Sequence, residues 1–329
     1  AKKIANKYIE LNPYFKNKGY SDIDEILETI DYIEEANNIS GAENSLKQWL
    51  LKHYHSDKIN NLLMWFNEEE NLLKKTIAVN LLNQGKEQNH IINEFKKNTQ
   101  KSKDWYNNYK VGSLFWLYSI KGLKKRYAGF NTLINLSGNN IRTMLEFCYS
   151  IVEEWISREE YHLPISTKLQ NDVIHKCSEE YKKLLQSEDE YSIEVFNMVE
   201  RIGRLFESLQ KSPKQSEVEI NHFSIDDDMS EEVKKYIRKC YRTTAFRRIQ
   251  SNKQKQLSNL RHDAWQLHPR FAPCFGISPR KKKQIYLKND DVKTILFGSK
   301  DSWDKFLRNY SKKFILNEKI TNKEQNLFD

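Results

Sequence analysis

At 329 residues the chain is long enough for two domains or three small ones. Its Gly 10 and Pro 6 make up about 5% of the chain, where soluble proteins carry roughly 12%, which excludes collagen-like, Gly-linker and turn-dense all-β chains and favours long helices. The net charge is +9, yet residues 231–288 hold 16 basic and 3 acidic side chains, a local +13 that leaves −4 on the rest. A basic module on an acidic helical body is thus predicted, and its usual partner is a polyanion.

The longest uncharged apolar stretch, Val111 to Ile120, is about half of what a membrane-spanning helix needs, and residues 1–20 hold no signal-peptide apolar core. No membrane partner and a cytoplasmic location are expected. Cys148, Cys177, Cys240 and Cys274 lie tens of residues apart without a CxxC pair, so neither a disulfide framework nor a zinc knuckle is expected.

Residues 1–103 read as short helices. Ser21 with Asp24 resembles a capping box, after which Ile23, Ile26, Leu27, Ile30 and Ile33 fall on one helical face. Leu46, Trp49, Leu50 and His53 mark a second helix, and Ile59, Leu62, Leu63 and Phe66 a third. From Asp104, Trp105, Tyr109, Leu114, Phe115 and Leu117 build an apolar helix that ends at Lys121-Gly122, before the basic loop Lys124, Lys125, Arg126. Ser137-Gly138-Asn139-Asn140 then reads as turn and cap for a helix carrying Met144, Leu145, Cys148, Ile151, Val152 and Trp155 at buried spacing. Arg142 sits in the first turn of that helix, where a cation opposes the positive helix end and asks for an anion. The other reading is a surface ion pair with Glu146, four residues on.

Thr167 to Gln186 and Glu190 to Lys211 read as paired helices, and Pro213 as a boundary. Val218 to Ser224 reads as a strand, Met229 to Arg248 as a helix, and Gln284 to Lys288 as a strand after a basic turn. Trp303, Phe306, Leu307, Tyr310 and Phe314 mark a last amphipathic helix.

Catalytic signatures are missing from this sequence. Gly85-Lys86 is its nearest approach to a phosphate loop, but Glu87 stands where a magnesium-binding hydroxyl is needed and no glycine lies five residues ahead. No HExxH, GxSxG or DFG run occurs, and His53 and His55 point to different helix faces. Asp226, Asp227 and Asp228 read as a solvated turn and cap rather than magnesium ligands. The site expectation is therefore no catalytic residue and no metal.

The run Leu136-Ser-Gly-Asn-Asn-Ile-Arg142, preceded by Tyr127-Ala-Gly-Phe130, resembles the lid of bacterial AAA+ ATPases of the origin-recognition-complex type. Downstream, the order strand, basic helix, LHPRFAPCFG (residues 267–276), basic turn and strand is similar to the winged-helix domain that closes those ATPases. The resemblance covers roughly residues 104–300, and the family's P-loop and Walker B segments have no counterpart. It implies a mainly α fold: a helical region over 1–103, an AAA+ lid-like helical domain over 104–212, and a basic winged-helix-like domain with a small β-sheet over 213–329. Arg142 is then the nucleotide-sensing residue. Phosphate contacts are expected from Arg242, Arg247, Arg248, Lys253 and Lys255 at the helix end, and from Arg270, Arg280, Lys281, Lys282 and Lys283 at the wing.

The implied partners are double-stranded DNA and other protein subunits or an upstream ATPase domain. ATP and magnesium belong only with a P-loop portion located elsewhere. A chain that begins at Ala1 is expected to be the C-terminal portion of a longer ATPase that binds DNA and couples nucleotide state to assembly, in antiviral defence. The alternative is a non-catalytic helical adaptor working through protein contacts.

Overall fold

In the computed structural model, residues 1–158, 162–186, 192–211, 219–225, 229–249 and 264–325 are described, with side chains as far as residue 312. The described helices are α1 Lys2–Leu11, α2 Pro13–Asn17, α3 Ile23–Ile26, α4 Tyr32–Asn37, α5 Ala42–His53, α6 Asn60–Glu68, α7 Leu72–Asn83, α8 Gln88–Lys96 and α9 Gln100–Ile120. They continue with α10 Phe130–Ser137, α11 Ile141–Ser157, α12 Thr167–Leu184, α13 Ser192–Gln210, α14 Glu231–Arg242, α15 Ala272–Phe275, α16 Asn289–Phe297 and α17 Lys300–Gln325. Four strands, β1 Ile220–Ile225, β2 Phe246–Ile249, β3 Ala264–Leu267 and β4 Lys283–Leu287, form one sheet in the order β2-β3-β1-β4. The fold is mainly α with this one small mixed sheet, as the sequence predicts.

The chain divides into two compact units, each assembled from three separate stretches. One contains Ala1–Ile30, Arg126–Arg204 and Asn221–Lys300; the other contains Asp31–Lys125, Leu205–Ile220 and Asp301–Asp329.

In the first unit a buried Gln170 joins distant segments. Its amide donates to the carbonyls of Ile165 (2.7 Å) and Glu28 (2.9 Å) and accepts from the Gly129 N–H (2.8 Å). Phe15 stacks on Trp155 with ring centres 5.9 Å apart, which seats α2 on α11. Arg201 of α13 closes the end of α16 by donating to the carbonyls of Thr294, Ile295 and Gly298, the favourable place for a cation against a helix dipole. The sheet is pinned on β3, which pairs antiparallel with β1 and with β2; His222 on β1, Gln266 on β3 and Arg247 on β2 line up across it.

The second unit is built on aromatic packing around α7 and α9. Trp49 meets Trp116 edge-on at 5.0 Å, and Trp65 stacks on Phe95 at 5.7 Å. Lys125, read from sequence as part of a basic loop, is buried here: its ammonium lies 3.1 Å from the Glu35 carboxylate, which also accepts from the Tyr118 hydroxyl at 3.0 Å. Lys75 is likewise buried and paired with Glu43 at 2.8 Å.

Two sequence readings are corrected. The helical face expected from Ile23 to Ile33 breaks at Leu27, which bridges to Ile165, and the Asp31 carboxylate restarts a helix by accepting from the N–H groups of Ile33 and Glu34. The helix expected over Met229 to Arg248 is α14 alone, and Phe246–Ile249 is strand β2.

Candidate functional site

The turn between α10 and α11 is built by its backbone. Gly138 (φ 58°) and Asn139 (φ 70°) take the left-handed conformation, and the Asn140 side chain then accepts from the N–H groups of Arg142 (3.0 Å) and Thr143 (3.3 Å). The Arg142 guanidinium Nε donates to Glu146 Oε1 at 2.9 Å, and its side chain is 87% exposed. The ion pair read from spacing is therefore present. An exposed i, i+4 pair of this kind contributes about 0–1 kcal/mol, so a multiply charged anion can compete for Arg142.

A second wall comes from the end of α14. The Thr243 hydroxyl donates back to the carbonyls of Lys239 and Cys240, Thr244 takes φ 55°, and the chain turns into β2. Arg247 and Arg248 therefore lie on a strand, not on a helix end, and point to opposite faces. Arg247 donates from Nε to Gln266 Oε1 at 2.8 Å, whereas exposed Arg248 pairs across from Trp265.

These walls bring Arg142, Arg242 and Arg247 into one cleft of about 650 Å³, completed by Gly138–Ile141, Tyr241, Thr244, Phe246 and His268. Among the described residues, no carboxylate lines it. Sequence reasoning gave Arg142 to a nucleotide and the other two arginines to DNA; the fold places all three around one space.

The floor of the cleft is His268, a residue missed from sequence. Its Nδ1 accepts from the Arg270 N–H at 3.3 Å, with Pro269 at the first helical position, so in the neutral ring the proton sits on Nε2. Burial, reinforced by Arg270 and Arg247, pushes this imidazole's pKa down to about 3. His222 is pushed down to about 4 by burial and by Lys281 and Arg247, which marks Arg247 and Lys281 as parts of one positive field.

The basic turn before β4 is held rigidly. Asn221 donates to the carbonyls of Ser278 and Arg280, Gln266 donates to that of Pro279 at 3.4 Å, and the Arg280 N–H donates to the Ser278 hydroxyl at 3.2 Å. Lys281 and Lys282 follow on the turn, and Lys283 opens β4. Arg270 lies outside the cleft: it donates to the Thr244 hydroxyl at 2.8 Å and stacks against Tyr181 and Phe271, 4.9 and 5.0 Å from their ring centres. Lys253 and Lys255 lie outside the described residues, as do Pro213 and Asp226–Asp228.

The residues present do not fit a complete nucleotide site. Gly85 (φ 89°) closes α7, and the Lys86 ammonium sits 5.8 Å from the centre of the Trp105 ring. That is a helix end, not a phosphate loop. Among the described residues no group of His, Cys, Asp and Glu is arranged to hold a metal ion, and no helix is long and apolar enough to cross a membrane. The cleft gathers arginine charge, and among its described lining residues there is no carboxylate to bind magnesium.

No curated protein and no solved structure matches this chain. The family model described as ORC-CDC6-like matches residues 1–287, a span that holds both the arginine cleft and the basic turn, and the chain belongs to the ORC-CDC6-like family.

Proposed function

We propose that the chain is the DNA-binding and phosphate-sensing portion of an origin-recognition-type AAA+ ATPase. In this reading α10–α13 act as the lid, and the strand, helix and hairpin from β1 to β4 act as a winged helix. Duplex DNA lies against the basic turn, with Arg280, Lys281, Lys282 and Lys283 on backbone phosphates and Arg242, Arg247 and Arg248 beside them. Arg142 answers a phosphate presented by a P-loop elsewhere in the full protein or in a neighbouring subunit, and so links nucleotide state to assembly. The role in antiviral defence rests on the resemblance of the lid sequence alone.

One observation carries the DNA reading: Asn221 and Gln266 hold the carbonyls of Ser278 and Pro279, so the backbone that presents the basic turn is fixed before any ligand arrives. A preordered cationic turn loses less entropy on contact than a free lysine run. The test is to change Lys281, Lys282 and Lys283 together to Ala. Affinity for duplexes of unrelated sequence is expected to fall by similar factors, and the slope of log affinity against log salt to shrink by about 0.9 per lost contact, because each contact releases condensed counterions. An unchanged slope, or no duplex binding by the unmodified chain, assigns the basic turn to protein docking instead.

A further inference from the structure

The Arg142–Glu146 ion pair is the first link of a longer series of contacts. Glu146 uses both carboxylate oxygens: Oε1 accepts from Arg142 Nε at 2.9 Å, and Oε2 accepts from the Tyr181 hydroxyl of α12 at 2.5 Å. Burial and the Glu146 carboxylate both push the Tyr181 phenol's pKa up, so that hydroxyl stays a donor. The Arg270 guanidinium lies over the ring of the same tyrosine, 4.9 Å from its centre, where the negative face of the ring attracts a cation. Arg270 then reaches the turn between α14 and β2, donating from Nη2 to the Thr244 hydroxyl at 2.8 Å and to the carbonyls of Thr243 and Thr244 at 3.4 Å.

That turn needs an outside hold. Thr244 takes φ 55°, a left-handed conformation that a β-branched residue keeps only where its surroundings impose it. It stands between Arg242 and Arg247, which line the cleft together with Arg142. The contacts therefore run from Arg142 through α11, α12 and the Arg270 segment to the second wall of Arg142's own cleft. Charge gives the series two states. With Arg142 paired, Glu146 divides its charge between a cation and the Tyr181 hydroxyl. When an anion draws Arg142 away, the hydroxyl is the one donor left to that carboxylate among the described residues, and the charge-assisted O–H···O⁻ bond strengthens as its competitor leaves. The polarised phenol then holds Arg270 more firmly, and Arg270 holds the turn. We infer that Glu146, Tyr181 and Arg270 form a relay by which an anion on Arg142 tightens the turn that carries Arg242 and Arg247. This deepens the phosphate-sensing reading and rests on it for the anion, not for the contacts.

The test is amide hydrogen exchange of the full chain, read at Ala245, whose N–H donates to the Cys240 carbonyl at 2.8 Å across the turn. Arg142→Ala, at an exposed position, takes the cation from Glu146 as an anion would, and exchange at Ala245 is expected to slow about fivefold. The same substitution in a Tyr181→Phe background, which keeps the ring under Arg270 and deletes only the hydroxyl, should leave Ala245 unchanged. A Glu146→Gln background, at a partly exposed site on α11, should cancel the effect likewise and decides the matter if Tyr181→Phe does not fold. Unchanged or faster exchange in Arg142→Ala overturns the relay. So does a slowing that persists in these backgrounds, which would be a direct effect of the lost charge on the cleft. Neither nucleotide nor duplex enters the measurement. If the slowing appears and is cancelled as expected, yet ATP turnover of the complete ATPase ignores Arg142→Ala, the relay stands and the phosphate reading falls.

Discussion

His222 and His268 are held neutral by burial beside cations, and that gives the first unit a defined acid sensitivity. Both have folded pKa values, about 4 and about 3, below the ordinary 6.5. Between those values and about 6.5 the unfolded chain binds more protons than the folded one, so stability is full above about pH 6.5 and declines as pH falls toward 4. At pH 4.5, two units below the ordinary value, the loss is on the order of 2–3 kcal/mol for each imidazole. The thermal midpoint is expected to drop between pH 6.5 and 4.5, and a His222→Gln, His268→Gln double variant to flatten that drop. An equally steep fall in the double variant would assign the acid sensitivity to carboxylates elsewhere. At this scale the sequence was partly legible. Arg142 was visible because a cation in a first helical turn is locally wrong. His268 was not, since its role depends on Gly138 and Arg247, which come to it from 130 and 21 residues away.

Elements were legible wherever their signals were local. The turn at Ser137–Asn140, the helix after it and the pair α12 and α13 stand close to where spacing and caps put them. The end of α14 was misread for a physical reason. Apolar spacing continues past Arg242, and what halts the helix is Thr244 in a left-handed conformation, fixed by Arg270 from 26 residues away. Long-range contact overrode local propensity there. The break at Leu27 has the same origin, because its partner Ile165 is remote in sequence. Packing between elements also yields a prediction. Gly203 lets α13 lie directly on the Phe275 ring, and an added Cβ would collide with three atoms of that ring. Gly203→Ala is expected to destabilise the chain by about 1–3 kcal/mol despite alanine's better helix propensity, measurable by urea unfolding. A stabilised variant would mean that the α13 contact relaxes freely.

For the whole molecule, the family match begins at residue 1, whereas the motifs that carried the resemblance begin near residue 104. Residues 31–125 hold mostly core-forming helices, whose apolar spacing reveals packing but no chemistry. The same division sets the catalytic prediction. An arginine without a phosphate loop supplies one part of a phosphoryl-transfer site, so the 329-residue chain alone should release no phosphate from ATP and bind it only weakly. Supplied with a P-loop, in one polypeptide or as a neighbouring subunit, turnover should become sensitive to Arg142→Ala, with chain stability changed by no more than about 0.5 kcal/mol. Magnesium-dependent turnover by the purified chain that survives Arg142→Ala would overturn the assignment.

The interleaved stretches of the two units also set a timetable for synthesis. Residues 1–30 emerge from the ribosome well before the segment that covers them: Glu28 finds its hydrogen-bond partner Thr167 only 139 residues later. At about 5–20 residues per second that is a wait of roughly 7–28 s, during which Ile9, Phe15, Ile23 and Ile26, all fully buried in the finished fold, have only each other's short helices to pack on and lack the cover that later segments supply. Residues 31–125, by contrast, carry most of their core within one continuous run. Residues 31–125 can thus complete most of their core before residues 126–204 arrive to complete the core around residues 1–30.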